Sequence, residues 1–172
     1  MRLEGQARLG YYPTPPAIAH ILARACRPAH ADQPWTVCDP FCGPGDALLA
    51  FDTPYRYGVE LDEGRAAQAT AQPLTVITGN AFDVSLPAQS LSVLFLNPPY
   101  DWDPIANIRI ELLALHTFVS AVKVHGLVFL IFPKTILSSL LTTAADLPLR
   151  PLGFYRFPDP DYDRFQQVIL IA

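Results

Sequence analysis

No stretch of the 172 residues is apolar for long enough to span a bilayer, and the opening Met-Arg-Leu-Glu-Gly-Gln carries no signal-peptide pattern. Cysteine is scarce: Cys26, Cys38 and Cys42 form an odd set in no disulfide-framework spacing, as expected of a reducing compartment. These absences set the expectation of a cytoplasmic protein with no membrane partner. Cys38 and Cys42 lie close together, but no second Cys or His pair stands near them. They read as small buried thiols before they read as zinc ligands, and no metal is expected. Charge is scarce as well. Only 16% of residues are charged, and 12 Lys and Arg face 16 Asp and Glu, a net charge of −4. The basic excess with which a domain grips nucleic acid non-specifically is missing, so such contact needs a local basic patch, a partner or an added segment.

What remains is an apolar chain, 51% hydrophobic, of a size for one domain with a real core. No internal repeat, low-complexity tract or linker divides it, so residues 1–172 read as a single domain. The sequence stops within the strand-like "QVILIA", which suggests a minimal domain or the N-terminal part of a longer protein. In "YYPTPPAIAHILARACR" (11–27), Thr14 is placed to cap a helix whose first turn holds Pro15 and Pro16, with Ile18, Ile21, Leu22 and Ala25 on one face. Strands are predicted over 35–39, 55–61, 74–80 and 91–97, with helices starting near Asp46 and after Asp62. Ile108, Leu112, Leu115, Val119 and Val122 recur at helical spacing and predict one long amphipathic helix over 105–124. "GLVFLIFP" (126–133) reads as a strand buried on both faces, 135–141 as a short helix, and 152–157 and 166–172 as two last strands. This alternation implies an α/β fold, a mostly parallel sheet with helices on both faces.

In open α/β sheets, ligands bind beyond the carboxyl ends of the strands where the strand order reverses. The first strand here ends at Asp39 and runs into "PFCGPGD", where Gly43 and Gly45 permit a tight turn and close backbone approach. The loop is neither a NAD fingerprint, since Leu48 stands where a third glycine belongs, nor a P-loop, since no Gly-Lys-Ser/Thr follows. Glu60 ends the second strand, where an acid accepts hydrogen bonds from ribose hydroxyls. With Asp39 and Asp46 at its tip, the loop is a poor pyrophosphate cradle. It suits a ligand with a cationic amino-acid end and an adenosine end, as S-adenosylmethionine has. The bland alternative is a glycine turn with a helix cap at Asp46.

The fourth strand stops at Asn97-Pro98-Pro99-Tyr100. An exocyclic amine or an amide nitrogen is a poor nucleophile because its lone pair is delocalised. Acceptors placed against its N–H bonds draw it towards tetrahedral geometry and stabilise the charge that develops on attack. Asn97 supplies a side-chain oxygen and Pro98 a carbonyl, two prolines stiffen the backbone, and Tyr100 offers a face for a base or planar amide. No strong general base is needed, since the nitrogen becomes acidic once alkylated. The bland alternative is a proline-rich turn in a chain with 18 prolines.

The ordered segments "YYPTP" (11–15), "DPFCGPG" (39–45), "YGVELD" (57–62), "TGNAFD" (78–83) and "NPPY" (97–100) resemble the motifs of S-adenosylmethionine-dependent amino-methyltransferases. They are most similar to adenine-N6 DNA methyltransferases whose cofactor motif precedes the catalytic one. The tail "YRFPDPDYDRFQQVIL" also resembles uncharacterised bacterial and mobile-element methylase-like proteins. The resemblance implies a Rossmann-like class I methyltransferase fold with a mostly parallel seven-stranded sheet, and methyl transfer to adenine N6 in DNA. It implies that Asn97, Pro98, Pro99 and Tyr100 are catalytic, that Tyr12, Pro13 and Thr14 touch the methionine end of the cofactor, and that Asp39, Phe41, Gly43 and Gly45 shape its pocket. Glu60 would hold the ribose, Leu61 and Phe82 would sandwich the adenine, and the Asn80-Ala81 turn would meet its amine. Asn80 stands where the family commonly has Asp, although its amide oxygen accepts the same hydrogen bond.

The substrate is the open point. Relatives that read a DNA sequence carry a recognition region for which this length leaves almost no room, so a specificity subunit or a missing region is expected. RNA bases and protein glutamine are the alternative acceptors, and a non-catalytic subunit of the same fold is the alternative class. Trp102 reads either as a wider stacking surface or as a core anchor. Arg109, Arg150, Arg156 and Arg164 read first as solvated residues and second as phosphate contacts.

Overall fold

The computed structural model describes residues 12–26 and 34–172. Helix α1 (Pro16–Ala25) starts on a proline, whose missing N–H costs nothing at that position. Its cap is Pro15 and not Thr14, whose hydroxyl oxygen is taken by Asn97. Ile18, Ala19 and Leu22 are buried, whereas Ile21 and Ala25 face solvent. Tyr11 and Arg27, at the ends of the predicted segment, lie outside the described residues. Strands β1 (Thr36–Asp39), β2 (Tyr55–Glu60), β3 (Thr75–Thr78) and β4 (Leu91–Leu96) fall within their predicted segments. Between them lie α2 (Asp46–Leu49) and α3 (Glu63–Thr70), the latter capped by Asp62, whose carboxylate accepts the Arg65 N–H at 2.8 Å.

The long helix predicted over 105–124 does not form. Its start belongs to a hairpin of β5 (Trp102–Asp103) and β6 (Ile108–Arg109), followed by helix α4 (Ile110–Phe118) and a 3-10 turn over Val119–Ala121. Its last residues already belong to β7 (Val122–Pro133). Asp103 decides the front end: its carboxylate accepts the N–H groups of Ile105 and Ala106 at 2.9 and 2.7 Å, a local alternative to helical bonding. At the back end Val122 pairs with Leu91 of β4, and strand pairing prevails over the helical spacing. Helices α5 (Leu137–Ala145) and α6 (Asp161–Phe165) and strands β8 (Gly153–Arg156) and β9 (Gln167–Ile171) complete the chain. Of these only α6 escaped the sequence reading.

The seven-stranded sheet has the order β3-β2-β1-β4-β7-β9-β8. Strands β3 to β7 pair in parallel, and β9 runs against both of its neighbours. Strand order therefore reverses between β1 and β4. Alternate residues of the central strands serve two cores. Leu94, Leu96, Val128, Leu130 and Phe132 pack with Leu112, Leu115 and Phe118 of α4 and Leu140 of α5. Val93, Phe95, Phe129 and Ile131 pack with Ile18, Leu22, Leu48, Phe51 and Ala69 on the side of α1, α2 and α3. A strand buried on both faces needs an uninterrupted apolar run, and "GLVFLIFP" supplies it. Among the described residues no helix is long and apolar enough to cross a membrane.

Gly45 caps α2 with φ 91°, and a Cβ there would overlap Cδ1 of Leu74. Gly58 of β2 lies so close under the same loop that a Cβ would stand 2.5 Å from the Cys42 sulfur. The close approach expected at Gly45 is thus made to the protein's own core. Gly45→Ala should lower unfolding stability by about 1–3 kcal/mol, measured by urea denaturation.

Candidate active site

The carboxyl ends of β1 and β2 bring Asp39 and Glu60 together, 2% and 5% exposed. Asp39 does not stand at the loop tip. It turns inward and accepts the Phe41 N–H at 2.8 Å, while Asp46 remains on the surface. Burial pushes the Asp39 carboxyl up to about 7; the Phe41 N–H opposes this and the charge of Glu60 adds to it. Glu60 Oε2 accepts the Gly43 N–H at 2.9 Å, and this bond holds the glycine loop against β2. Glu60 Oε1 accepts the Asp62 N–H at 2.8 Å and Arg65 Nε and Nη2 at 3.1 and 2.7 Å. The acid expected to wait for a ribose is therefore already engaged through both oxygens. Oε2 keeps one lone pair, and a further acceptor is released only where Arg65 gives way. Arg65 was missed in the sequence, where nothing distinguishes it from a surface helix residue. Cys38 and Cys42 are buried, and burial raises both thiols, that of Cys38 to about 12.

Two cavities open at this rim. The larger, of about 320 Å³, is lined by Pro40, Phe41, Val59, Glu60, Leu61 and Arg65, by Gly79 to Phe82, and by Asn97, Pro99, Asp103 and Ile110. Leu61 and Phe82 flank it as apolar walls; Phe82 is packed in turn on Phe118, ring centroids 6.0 Å apart. Asn80 spends its side-chain oxygen on the Phe82 N–H at 3.2 Å, starting the 3-10 turn Ala81–Asp83. The narrower cavity is lined by Tyr12, Pro13, Thr14, Asp39, Phe41, Cys42, Asp46, Ala47 and Asn97. Phe41 and Asn97 border both. An apolar slot with a carboxylate and an amide, beside a cleft of only about 20 Å³ holding two carboxyls and a hydroxyl, matches the charge and hydrogen-bonding groups of a cationic amino acid linked to a nucleoside. Gly43, Gly45, Pro98 and Tyr100 line neither cavity.

The turn after β4 is tied to the N-terminal segment. Asn97 Nδ2 donates to the Tyr12 carbonyl at 2.7 Å and to Thr14 Oγ1 at 3.0 Å. Its Oδ1 accepts the Tyr100 hydroxyl at 3.1 Å, and that hydroxyl accepts Gln167 Nε2 at 2.6 Å. The Tyr12 ring stacks on Tyr100 with centroids 4.9 Å apart and planes 13° from parallel. One face of Tyr100 is thus covered by Tyr12. Burial raises the Tyr100 phenol, with the Gln167 bond opposing it. Gln167, Asp103 and Ile110 were not singled out in the sequence; they reach the rim only through the reversed strand and the hairpin. Of the arginines held open as phosphate contacts, Arg109 pairs with the fully buried Glu111. Arg156 pairs with Asp159 and lies over the Tyr162 ring, and Arg150 is exposed. The side chain of Arg164 lies outside the described residues. Trp102 is 49% exposed on the hairpin and is no core anchor.

The order of the sheet, with ligand-sized space at the β1–β4 reversal, is that of a Rossmann-like class I methyltransferase fold. A Listeria monocytogenes protein described as a class I S-adenosylmethionine-dependent methyltransferase is similar with TM-score 0.81 and 17% identity, over 98% of this chain and 64% of that one. The methyltransferase subunit of a type I restriction-modification system from Streptococcus thermophilus is similar with TM-score 0.72 and 15% identity, over 95% of this chain and 44% of that one. Geranyl diphosphate C-methyltransferase from Streptomyces coelicolor A3(2), solved with S-adenosyl-L-homocysteine, is similar with TM-score 0.64 and 16% identity, over 91% and 76%. Among curated proteins no sequence match is found. The chain belongs to the uncharacterised methyltransferase family DUF6094, which it matches over residues 1–172.

The Asp39 carboxyl carries a stability signature. An unfolded aspartate titrates near about 3.9, so between there and about 7 the folded state binds more protons. Its contribution is complete below the unfolded value and is lost as pH rises through the folded one. Urea unfolding followed from pH 5 to 8 should show stability falling by up to about 1.4 kcal/mol per pH unit, a slope absent in Asp39→Asn.

Proposed function

We propose that this chain is an S-adenosylmethionine-dependent N-methyltransferase whose acceptor is an exocyclic amine, first of all adenine N6 in DNA. The observation that carries the reading is the position of Asn97, which borders both cavities while both N–H bonds of its amide are taken by Tyr12 and Thr14. Its oxygen takes the Tyr100 hydroxyl and keeps one lone pair for an acceptor amine. When bound, S-adenosylmethionine supplies the methyl group. Glu60 and the Leu61–Phe82 slot hold the nucleoside end, with Asn80 and Ala81 at its far side. Tyr12, Pro13, Thr14 and Asp39 receive the amino-acid end, and Phe41 separates the two. Gly43 and Gly45 shape the loop without touching the ligand by side chains. The Asn97 oxygen and the Pro98 carbonyl accept the N–H bonds of the acceptor amine, and Pro99 keeps that backbone rigid. A flipped base stacks on the face of Tyr100 opposite Tyr12.

A related fold serves a C-methyltransferase and a restriction-modification subunit alike, so fold does not choose the acceptor. The acceptor-rich turn supports a nitrogen acceptor, because carbon alkylation has no use for two groups that accept N–H bonds. The net charge of −4 leaves a duplex poorly held, and the reading therefore includes a specificity subunit or further chain as the source of grip. RNA bases and protein glutamine share the chemistry and are separated by experiment, as is a subunit that binds cofactor without turnover.

Calorimetry with S-adenosylmethionine, followed by labelled methyl transfer to DNA, RNA and protein pools, tests the reading. Binding with label in N6-methyladenine of DNA is expected; label confined to RNA or glutamine selects those acceptors, and binding with no transfer selects the non-catalytic subunit. Asn97→Ala should lower transfer at least about 100-fold. Cofactor affinity should fall by about tenfold or less, since the 12–14 segment loses its two anchors. Full turnover in that variant would remove the basis of the assignment.

A further inference from the structure

Strand β9 runs against the rest of the sheet, and that reversal brings its first residue, Gln167, to the rim where β1, β2 and β4 end. Gln167 pairs in register with Pro133, the last residue of β7, and is 3% exposed. From there its Nε2 reaches the Tyr100 oxygen at 2.6 Å. The direction of the hydrogen bonds that follow is fixed by chemistry. The Tyr12 carbonyl only accepts, so the nitrogen of the Asn97 amide faces it and the oxygen faces Tyr100. The phenol proton must then lie between Tyr100 and Asn97 Oδ1, which leaves a phenol lone pair for a donor on the other side. Gln167 supplies that donor. Bonds run one way, from Gln167 to Tyr100 to Asn97 and on to Tyr12 and Thr14.

We propose that Gln167 is a positioning residue for methyl transfer, setting the Tyr100 hydroxyl so that it aims the Asn97 carboxamide. This rests on the functional reading above. Gln167 touches neither cavity, so its effect passes through Tyr100. It sits in a buried site where a lost or reversed bond is not repaired by water. A residue that only fills space would act in proportion to its volume. One that orients a proton acts according to whether it donates or accepts.

The test compares Gln167→Met, which keeps size and loses the donor, with Gln167→Glu, whose carboxylate accepts the phenol proton and turns the Tyr100 oxygen against Asn97. Both are made in the wild-type and the Tyr100→Phe backgrounds. Expected are a roughly tenfold fall in kcat for Gln167→Met and a larger one for Gln167→Glu, with the KM for S-adenosylmethionine changed by less than about twofold, and no further loss once Tyr100 is Phe. Exchange of the Asn97 side-chain amide protons, followed by nuclear magnetic resonance without any substrate, should quicken by about tenfold in Gln167→Met and be no faster in the double variant. Unchanged amide exchange in Gln167→Met, or losses that add fully to those of Tyr100→Phe, would overturn the proposal. Should the wild type transfer methyl to none of the pools, the functional reading fails by itself, and amide exchange still decides the link from Gln167 to Asn97.

Discussion

The site depends on one half-buried carboxamide. Asn97 follows the central strand β4, yet three of its four hydrogen-bonding positions are met by residues from widely separated parts of the sequence. Its N–H bonds go to Tyr12 and Thr14, and its oxygen takes a bond from Tyr100, itself held by Gln167. Each partner constrains the others. The Tyr12 carbonyl fixes which way the amide faces, the amide fixes where the phenol proton lies, and the ring of Tyr100 gives Tyr12 a surface to stack on. An amide so surrounded has little orientational freedom left, and on the proposed reading that preorganisation is what an arriving acceptor nitrogen would use. It also ties the N-terminal segment, which walls the narrower cavity, to the turn that would perform the chemistry.

Most of the scaffold was legible because its signals are local. Asp62 before an alanine-rich segment, the doubly apolar "GLVFLIFP" and strand ends on Asp39 and Glu60 each follow from a few neighbouring residues, and each is found in place. Most of what failed had long-range causes. The spacing of Ile108, Leu112, Leu115, Val119 and Val122 fits a helix; its front end is lost to the local turn that Asp103 sets, but at its back end Val122 pairs with Leu91, and no local pattern encodes a partner so far away. Thr14 looked like a helix cap for the same reason: its claim by Asn97 cannot be read from the residues beside it. Of the site, the residues on the motifs were legible and their neighbours were not. Arg65, Asp103, Ile110 and Gln167 carry no motif and become part of the rim only through folding.

Glu60 shows how a buried acid is satisfied at the wall of a cavity. An ionised carboxylate 5% exposed is costly without partners, and here the Gly43 and Asp62 N–H groups and Arg65 satisfy it. The Gly43 bond has a second consequence, because it makes the glycine loop and the acid one rigid body. Arg65 is the one partner among these on a flexible side chain, and it lines the larger cavity. A hydroxyl-bearing ligand can exchange with that guanidinium at one carboxylate oxygen without disturbing the backbone bond that shapes the loop.

The reversed strand gives the sheet something a wholly parallel one lacks. Strands β1, β2 and β4 present their carboxyl ends to the rim, so the side chains they offer there end a strand or lie in the loop that follows it. Strand β9 arrives at the same rim with its first residue, already paired to β7 and buried between two neighbours. A side chain held that way is as fixed as the core beneath it. Loops suit the ligand-facing positions, which must exchange partners, whereas a strand start suits a donor whose only task is to stay still. The 97–100 turn is thereby braced from β9 through Gln167 as well as from the 12–14 segment.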